Sequence, residues 1–180
     1  MELSAHADDV AALADALTAR GWLIATAESC TGGLIAAACT ARAGSSLWFE
    51  RGVVTYSNAA KTALLGVEPA LIAAEGAVSE AVARAMAAGA LARSPVHLAA
   101  AVTGIAGPDG GSVDKPVGTV WLALALTAPD GVRLWSERLQ LDGDRAAVRA
   151  QTVALALRRM CALARDPFAR DQSAGADAPA

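Results

Sequence analysis

Lysine and histidine are scarce in this chain. Of its 15 basic residues only Lys61 and Lys115 are lysines, the rest being arginines, and the histidines are two, His6 and His97. Arginine keeps its proton in a protein, whereas a desolvated lysine can lose it, so a chain that otherwise uses arginine hints at a need for neutrality where it keeps lysine. The histidine count also argues against a Ser-His-Asp triad, because His6 lies near the N-terminus and His97 opens a strand, at the wrong end for a site at strand termini. Cysteine is sparse as well: Cys30, Cys39 and Cys161 are odd in number and lack C-x-x-C or Cys/His ligand spacing. That argues against a disulfide framework and a zinc site, and no metal or other cofactor is expected. Reduced, mostly buried thiols are the expected state.

Other absences narrow the class further. Hydrophobic residues make up 54% of the 180 residues, but much of that is alanine, and no run approaches the ~20 strongly apolar residues of a membrane-spanning helix. The start, MELSAHADDV, carries acids where an export signal carries basic residues, so a soluble cytoplasmic protein with no membrane partner is expected. The net charge of -3 and the scatter of the arginines leave no electrostatic footprint of a nucleic-acid binder, and a small ligand is the better partner. Neither G-x-x-x-x-G-K-[ST] nor G-x-G-x-x-G occurs, which weakens nucleoside triphosphate and dinucleotide readings.

What is present is an alternation of helix and strand signals. Residues 4 to 20 place Val10, Leu13 and Leu17 at helical spacing before Gly21. The apolar run Trp22 to Ala27 leads into Glu28-Ser29-Cys30-Thr31-Gly32-Gly33 and the small-residue segment Leu34 to Ala41, which reads as strand, tight turn and helix. Trp48 to Tyr56 reads as a second strand, with Asn58 placed to cap a helix over Ala59 to Leu65 that ends at Gly66. A short helix from Pro69 to Ala74 and a longer alanine-rich one from Ser79 and Glu80 to about Arg93 follow. His97 to Val102 is the third strand, and the glycine-rich loop 103 to 112 sits at its end. Val117 to Thr127 and Val132 to Leu141 flank Pro129-Asp130-Gly131 as a hairpin, and Asp142-Gly143-Asp144 opens a last helix carrying Val148, Thr152, Leu155 and Arg159 on one face. The expected fold is therefore α/β: one domain over residues 1 to 166, a three-layer α/β/α sandwich around a mixed sheet of about five strands, with a disordered tail over 167 to 180.

In open α/β sheets ligands collect at the carboxyl ends of strands, and the turns 28 to 33 and 103 to 112 both follow strands. Ser29 precedes a helix start, where backbone N–H groups of Thr31, Gly32 or Gly33 are free to stabilise an oxyanion or a phosphate; it reads either as a cap serine or as a nucleophile. With histidine poorly placed, lysine is the available base, and Lys61 reads either as a solvated helical residue or as a buried amine of lowered pKa. Tyr56, the only tyrosine, is placed to relay a proton between the two or to cap a strand. Thr103 donates a hydrogen bond at the next strand end or simply terminates it, and Gly104 beside it belongs to the same ligand-facing turn. Cys30 is a rival nucleophile, since a thiol near a helix N-terminus can have a depressed pKa. Lys115 and Arg145 are placed to meet an anionic group.

Taken together, TAESCTGG (26 to 33), GVVTYSNAAKTALLGV (52 to 67), GAVSEAVA (76 to 83), AVTGIAGPDGG (101 to 111), KPVGTVWLAL (115 to 124) and DGDRAAVRAQTVALAL (142 to 157) resemble the CinA C-terminal domain family, whose characterised members are nicotinamide-nucleotide amidases. The resemblance covers nearly the whole chain apart from its tail. It implies hydrolysis of nicotinamide mononucleotide to nicotinate mononucleotide and ammonia, without a metal, with the nucleophile falling on Ser29, the base on Lys61, and assisting positions on Tyr56 and Thr103. The substrate phosphate needs a separate anion site, for which Ser45, Ser46 and Arg145 are the choices. Two other readings stand beside the enzyme: a phospho-ligand-binding or regulatory module without turnover, and an interaction protein suggested by the family's association with competence and DNA damage. A homodimer through an apolar surface of the alanine-rich helix is a further expectation.

Overall fold

The computed structural model describes residues 3–166. Residues 167–180, where the tail was expected, lie outside the described residues. Five strands form one mixed sheet in the order β2-β1-β3-β4-β5: β1 Ile24–Glu28, β2 Phe49–Val54, β3 Leu98–Gly104, β4 Thr119–Ala128 and β5 Gly131–Gln140. Strands β1, β2 and β3 run parallel, and the hairpin β4–β5 is antiparallel, with Ala128 opposite Gly131 across the Pro129-Asp130 turn.

The helices divide into two layers. One contains α1 Ala7–Thr18, α2 Leu34–Thr40 and α6 Arg145–Arg165; the other contains α3 Asn58–Leu65, α4 Pro69–Glu75 and α5 Glu80–Ala92. The period-two alternation of a strand sorts the side chains by size. In β3 and β4, Leu98, Val102, Leu122, Leu124 and Leu126 face the first layer, where they meet Leu13, Leu17, Leu157 and Met160. Their alternates Ala99, Ala101, Ala123 and Ala125 face the second layer, against Val82, Ala83, Met86 and Ala90 of α5. Small residues on both sides let α5 lie close to the sheet.

Two expectations change at this level. The cap of α3 is Ser57, whose Oγ accepts the Ala60 N–H at 3.1 Å, and Asn58 is the first helical residue. The last helix buries Val148, Thr152, Val153, Ala156, Leu157 and Met160, while Arg159 is exposed and pairs with Glu137; an arginine with a carboxylate in reach on β5 has no reason to enter an apolar stripe. Val82, Ala83, Met86, Ala87 and Ala90 of α5 are buried against the sheet, and Ala81, Ala88 and Ala92 lie outside that buried face. No helix among the described residues is long and apolar enough to cross a membrane.

The connection from β1 to β2 passes through α2 in one layer, and the connection from β2 to β3 passes through α3, α4 and α5 in the other. The segments that follow the neighbouring parallel strands β1 and β2 therefore depart to opposite faces of the sheet, which opens a crevice at their carboxyl ends. Ser29 is the first residue past the end of β1.

Candidate active site

The turn after β1 is built around a carboxylate. Glu28 is 1% exposed, and its Oε2 accepts the N–H groups of Gly33 and Ile35, both at 3.0 Å, while Oε1 accepts the N–H of Ala36 at 2.9 Å and the Thr26 hydroxyl at 3.3 Å. A buried carboxylate needs such donors when no cation is beside it. It also sits at the positive end of α2, so dipole and hydrogen bonds act in the same sense. Gly32 and Gly33 carry φ values of 62° and 95°, a left-handed pair that only glycine adopts without strain and that brings the chain from strand into helix across the five residues 29–33.

This turn holds Ser29 with its N–H on Val102 O at 3.0 Å. From the opposite layer Lys61 reaches in, 1% exposed, and its Nζ stands 3.1 Å from Ser29 Oγ and donates to Thr55 O at 2.8 Å. Burial pushes the Lys61 ammonium below the ordinary lysine range, because desolvation disfavours the charged form. No carboxylate holds the amine; its contacts are a hydroxyl and a carbonyl. That arrangement lets a neutral amine accept the serine proton while Thr55 O fixes its direction.

Cys30 is in the same turn, but burial pushes its thiol up to about 11, and the neighbouring Glu28 charge adds to the effect. A thiol in that state supplies almost no thiolate near neutrality, which removes the ground for treating it as a nucleophile. Both histidines are elsewhere: His6 is buried at the start of α1, and His97 stacks on Trp22 and accepts the Leu23 N–H at the amino end of β3.

The amides expected to serve an oxyanion are only partly free. Gly32 N–H closes the turn on Ser29 O at 3.0 Å, and Gly33 N–H is on Glu28. Thr31 N–H remains, together with Cys30 N–H, the amide next to Ser29; both bear on the Cys30 thiol. Thr103 is buried, and its hydroxyl donates to Ala77 O at 2.8 Å rather than to Ser29 or Lys61, leaving its oxygen only as an acceptor. Gly104 marks the close approach of β3 to β4, since a Cβ there would lie 2.8 Å from Thr119 O.

Tyr56 does not stand between Ser29 and Lys61. It is 60% exposed and its hydroxyl accepts Arg145 Nη2 at 2.8 Å. Arg145 also donates from Nη1 to Gly107 O at 2.9 Å, so it joins the turn after β2 to the loop after β3. Ser45 and Ser46 precede β2 in a short 3-10 turn. Because β2 runs parallel to β1, that turn is at the amino end of the sheet, a strand length from Ser29, and cannot contribute to a site on the same chain. Lys115 Nζ donates to Glu75 O at the end of α4.

The residue that sequence reasoning missed is Arg149. It lies one helical turn beyond Arg145 and donates from Nη2 to Thr31 O at 2.8 Å. The i, i+4 spacing of the two arginines was its available signal.

Comparison with known proteins identifies the family. The family model for the CinA C-terminal domain matches residues 7–163. A nicotinamide-nucleotide amidohydrolase PncC of Pseudomonas putida is 60% identical over 134 residues, covering 74% of this chain and 81% of that protein. The PncC protein of Escherichia coli K12 is 52% identical over 145 residues, 81% of this chain and 86% of its own. A crystal structure of a CinA superfamily protein from Klebsiella pneumoniae superposes with a TM-score of 0.82 at 39% identity, covering 87% of this chain and 96% of that one. The chain belongs to the CinA C-terminal domain family.

Proposed function

We propose that this protein hydrolyses nicotinamide mononucleotide to nicotinate mononucleotide and ammonia, with Ser29 as nucleophile and Lys61 as its base. The observation that carries the reading is the 3.1 Å contact between Lys61 Nζ and Ser29 Oγ, made by an amine whose burial favours its neutral form. The names of the Pseudomonas and Escherichia relatives supply the substrate, and the arrangement supplies a chemistry that fits it.

Neutral Lys61 takes the Ser29 proton as Oγ adds to the carboxamide carbon. The developing oxyanion is met by the Cys30 and Thr31 N–H groups, the two amides of the turn not already used for its folding. Protonated Lys61 then delivers its proton to the departing nitrogen, which leaves as ammonia, and the nicotinoyl ester remains on Ser29. Water enters, gives a proton to Lys61, attacks the ester carbon and releases the carboxylate; Lys61 returns the proton to Ser29. Thr55 O holds the amine in place through both halves.

The test is ammonia release from nicotinamide mononucleotide by the purified protein, with Ser29→Ala and Lys61→Arg in parallel. Wild type turns over, and both variants lose at least about 100-fold in kcat, the scale of a lost acid–base or nucleophilic group. An inert wild type removes the amidase reading in favour of a phospho-ligand-binding module. Full activity in Ser29→Ala removes the serine mechanism.

A further inference from the structure

The carboxyl ends of the three parallel strands carry a row of hydroxyls on one face of the sheet. The register places Glu28 opposite Val54 of β2 and Val102 of β3. The ladder continues one residue further, through Ser29 N–H on Val102 O at 3.0 Å and Thr55 N–H on Glu28 O at 2.8 Å. Ser29 therefore has Thr55 on one side and Thr103 on the other, each about 4.8 Å away from strand to strand. Alternation puts all three on the face of Ala25, Ala27, Val53, Ala99 and Ala101, which is turned to the layer that carries Lys61.

The three hydroxyls are engaged differently. Thr103 donates to Ala77 O at 2.8 Å, and Ser29 meets Lys61 Nζ at 3.1 Å. Thr55 is 0% exposed, and its Oγ1 has no hydrogen-bond partner among the described residues, a state that buried hydroxyls rarely keep. Its backbone is already committed to the site, since Thr55 O accepts Lys61 Nζ at 2.8 Å. The amine has the converse deficit. Neutral lysine has two N–H groups and a lone pair, whereas the ammonium that forms when it takes the serine proton has three N–H groups. Ser29 Oγ and Thr55 O are the partners of Nζ among the described residues, so one N–H of the charged form lacks an acceptor, and a buried charge tolerates that less than a neutral group does. Turning the Thr55 side chain about its Cα–Cβ bond aims an acceptor from the same residue that holds the amine.

We propose that Thr55 is a positioning residue whose hydroxyl accepts the third N–H of Lys61 when the amine becomes an ammonium. This rests on the Ser29–Lys61 reading above. No proton passes to or from Thr55: the Ser29 proton moves to Lys61 Nζ as the Oγ–carbon bond forms, and the threonine gains a hydrogen bond that exists only while Lys61 is charged. The contact thus favours the transition state over the resting state. Among the described residues the titratable group whose charge bears on the amine is the Cys30 thiol, which burial keeps neutral by pushing its pKa up to about 11. Glu28 is on the other face of β1, bonded to amides at the start of α2, and Arg93 of α5 stands at the Gly66 end of α3.

Thr55→Val removes the hydroxyl and keeps both the shape and the carbonyl that holds Lys61. On the alkaline plateau kcat/KM for nicotinamide mononucleotide falls about 10-fold, the effect of losing a hydrogen bond to a charged group. The acid limb moves to lower pH, because the ammonium has lost an acceptor. At low pH the two profiles converge: Lys61 starts as the ammonium in both proteins, so the contact is made, or missed, in ground state and transition state alike. Thr55→Ser restores the wild-type profile. An equal loss at every pH with an unmoved midpoint would mean that Thr55 only packs, and it overturns the proposal, as does full activity in Thr55→Val. A second readout needs no turnover. The chain has two lysines, so lysine isotopically labelled at Cε gives two titration curves by NMR, which Lys115→Arg assigns. In Thr55→Val the Lys61 midpoint falls and that of Lys115 stays. An unmoved Lys61 midpoint overturns the contact even in a protein that hydrolyses the nucleotide, and a lowered one upholds it even where turnover is absent and the amidase reading has failed.

Discussion

As the proposed base of Ser29, a lysine held 3.1 Å from the serine hydroxyl and 2.8 Å from a carbonyl has one productive protonation state, the neutral one. Burial lowers the Lys61 pKa, so the neutral form is populated at a lower pH than for a solvated lysine. The rate consequence has a definite sign: kcat/KM rises with pH, slope one on a logarithmic scale, and levels off once Lys61 is deprotonated, with a midpoint below the ordinary lysine value. The same shift enters stability. Between its folded and unfolded pKa values the unfolded chain binds more protons, so this residue's penalty is complete below the folded pKa and fades as pH rises toward the unfolded one. A pH–rate profile with no acid limb assignable to an amine would remove Lys61 as base. Cys30→Ala tests the neighbouring residue: with the thiol held protonated by burial, activity stays within about threefold of wild type, since a small buried apolar swap of this kind is well tolerated. Loss of turnover on the scale of the Ser29→Ala variant would return the thiol to the mechanism.

Elements decide whether those residues meet. Lys61 is carried by α3, a helix of eight residues, and α3 is seated on α5 through Gly89. A Cβ at Gly89 would lie 2.0 Å from Leu65 O at the carboxyl end of α3, a backbone contact that no side-chain rotation relieves. Alanine in place of a mid-helix glycine ordinarily stabilises by about 0.5–1 kcal/mol. Here Gly89→Ala reverses sign, destabilises by about 1–3 kcal/mol through overpacking, and lowers kcat because α3 shifts and takes the amine with it. Thermal melts and turnover on the same preparation check both halves; a more stable, fully active variant would show that the helices separate without cost. Element order was legible from the sequence because period-two and 3.6-residue patterns are local, and the hairpin and the turn after β1 carried their glycines and proline in plain sight. The Ser29–Lys61 pairing was reached by elimination and by resemblance. What was not legible depends on packing. Glu28 looks like the last residue of a strand, and nothing local says that its carboxylate folds back onto three amides of α2. Gly89 looks like one small residue among alanines. Ser45 and Ser46 look like phosphate ligands until strand direction places them at the other end of the sheet.

At the scale of the whole molecule, both helical layers share one sheet, and the proposed site lies between them. Ser29 belongs to the strand layer, Lys61 comes from one helical layer, and Arg145 and Arg149 from the other. The leucine face of β3 and β4 packs on α1 and α6, and the alanine face of the same residue runs packs on α5, so neither layer can leave without exposing strands that the other needs. Cooperative, two-state unfolding follows. Trp48 sits within the first layer's core and Trp121 packs against the second's, so tryptophan fluorescence samples both, while far-ultraviolet circular dichroism samples the helices of all layers. In urea the two signals trace one transition with the same midpoint. Leu157→Ala in the first layer and Met86→Ala in the second, both 0% exposed, each move that single midpoint down by an amount equivalent to about 2–5 kcal/mol, with both probes still coincident. Two separated transitions, one following each substitution, would mean that the layers melt independently and that the crevice at Ser29 is held from one side alone.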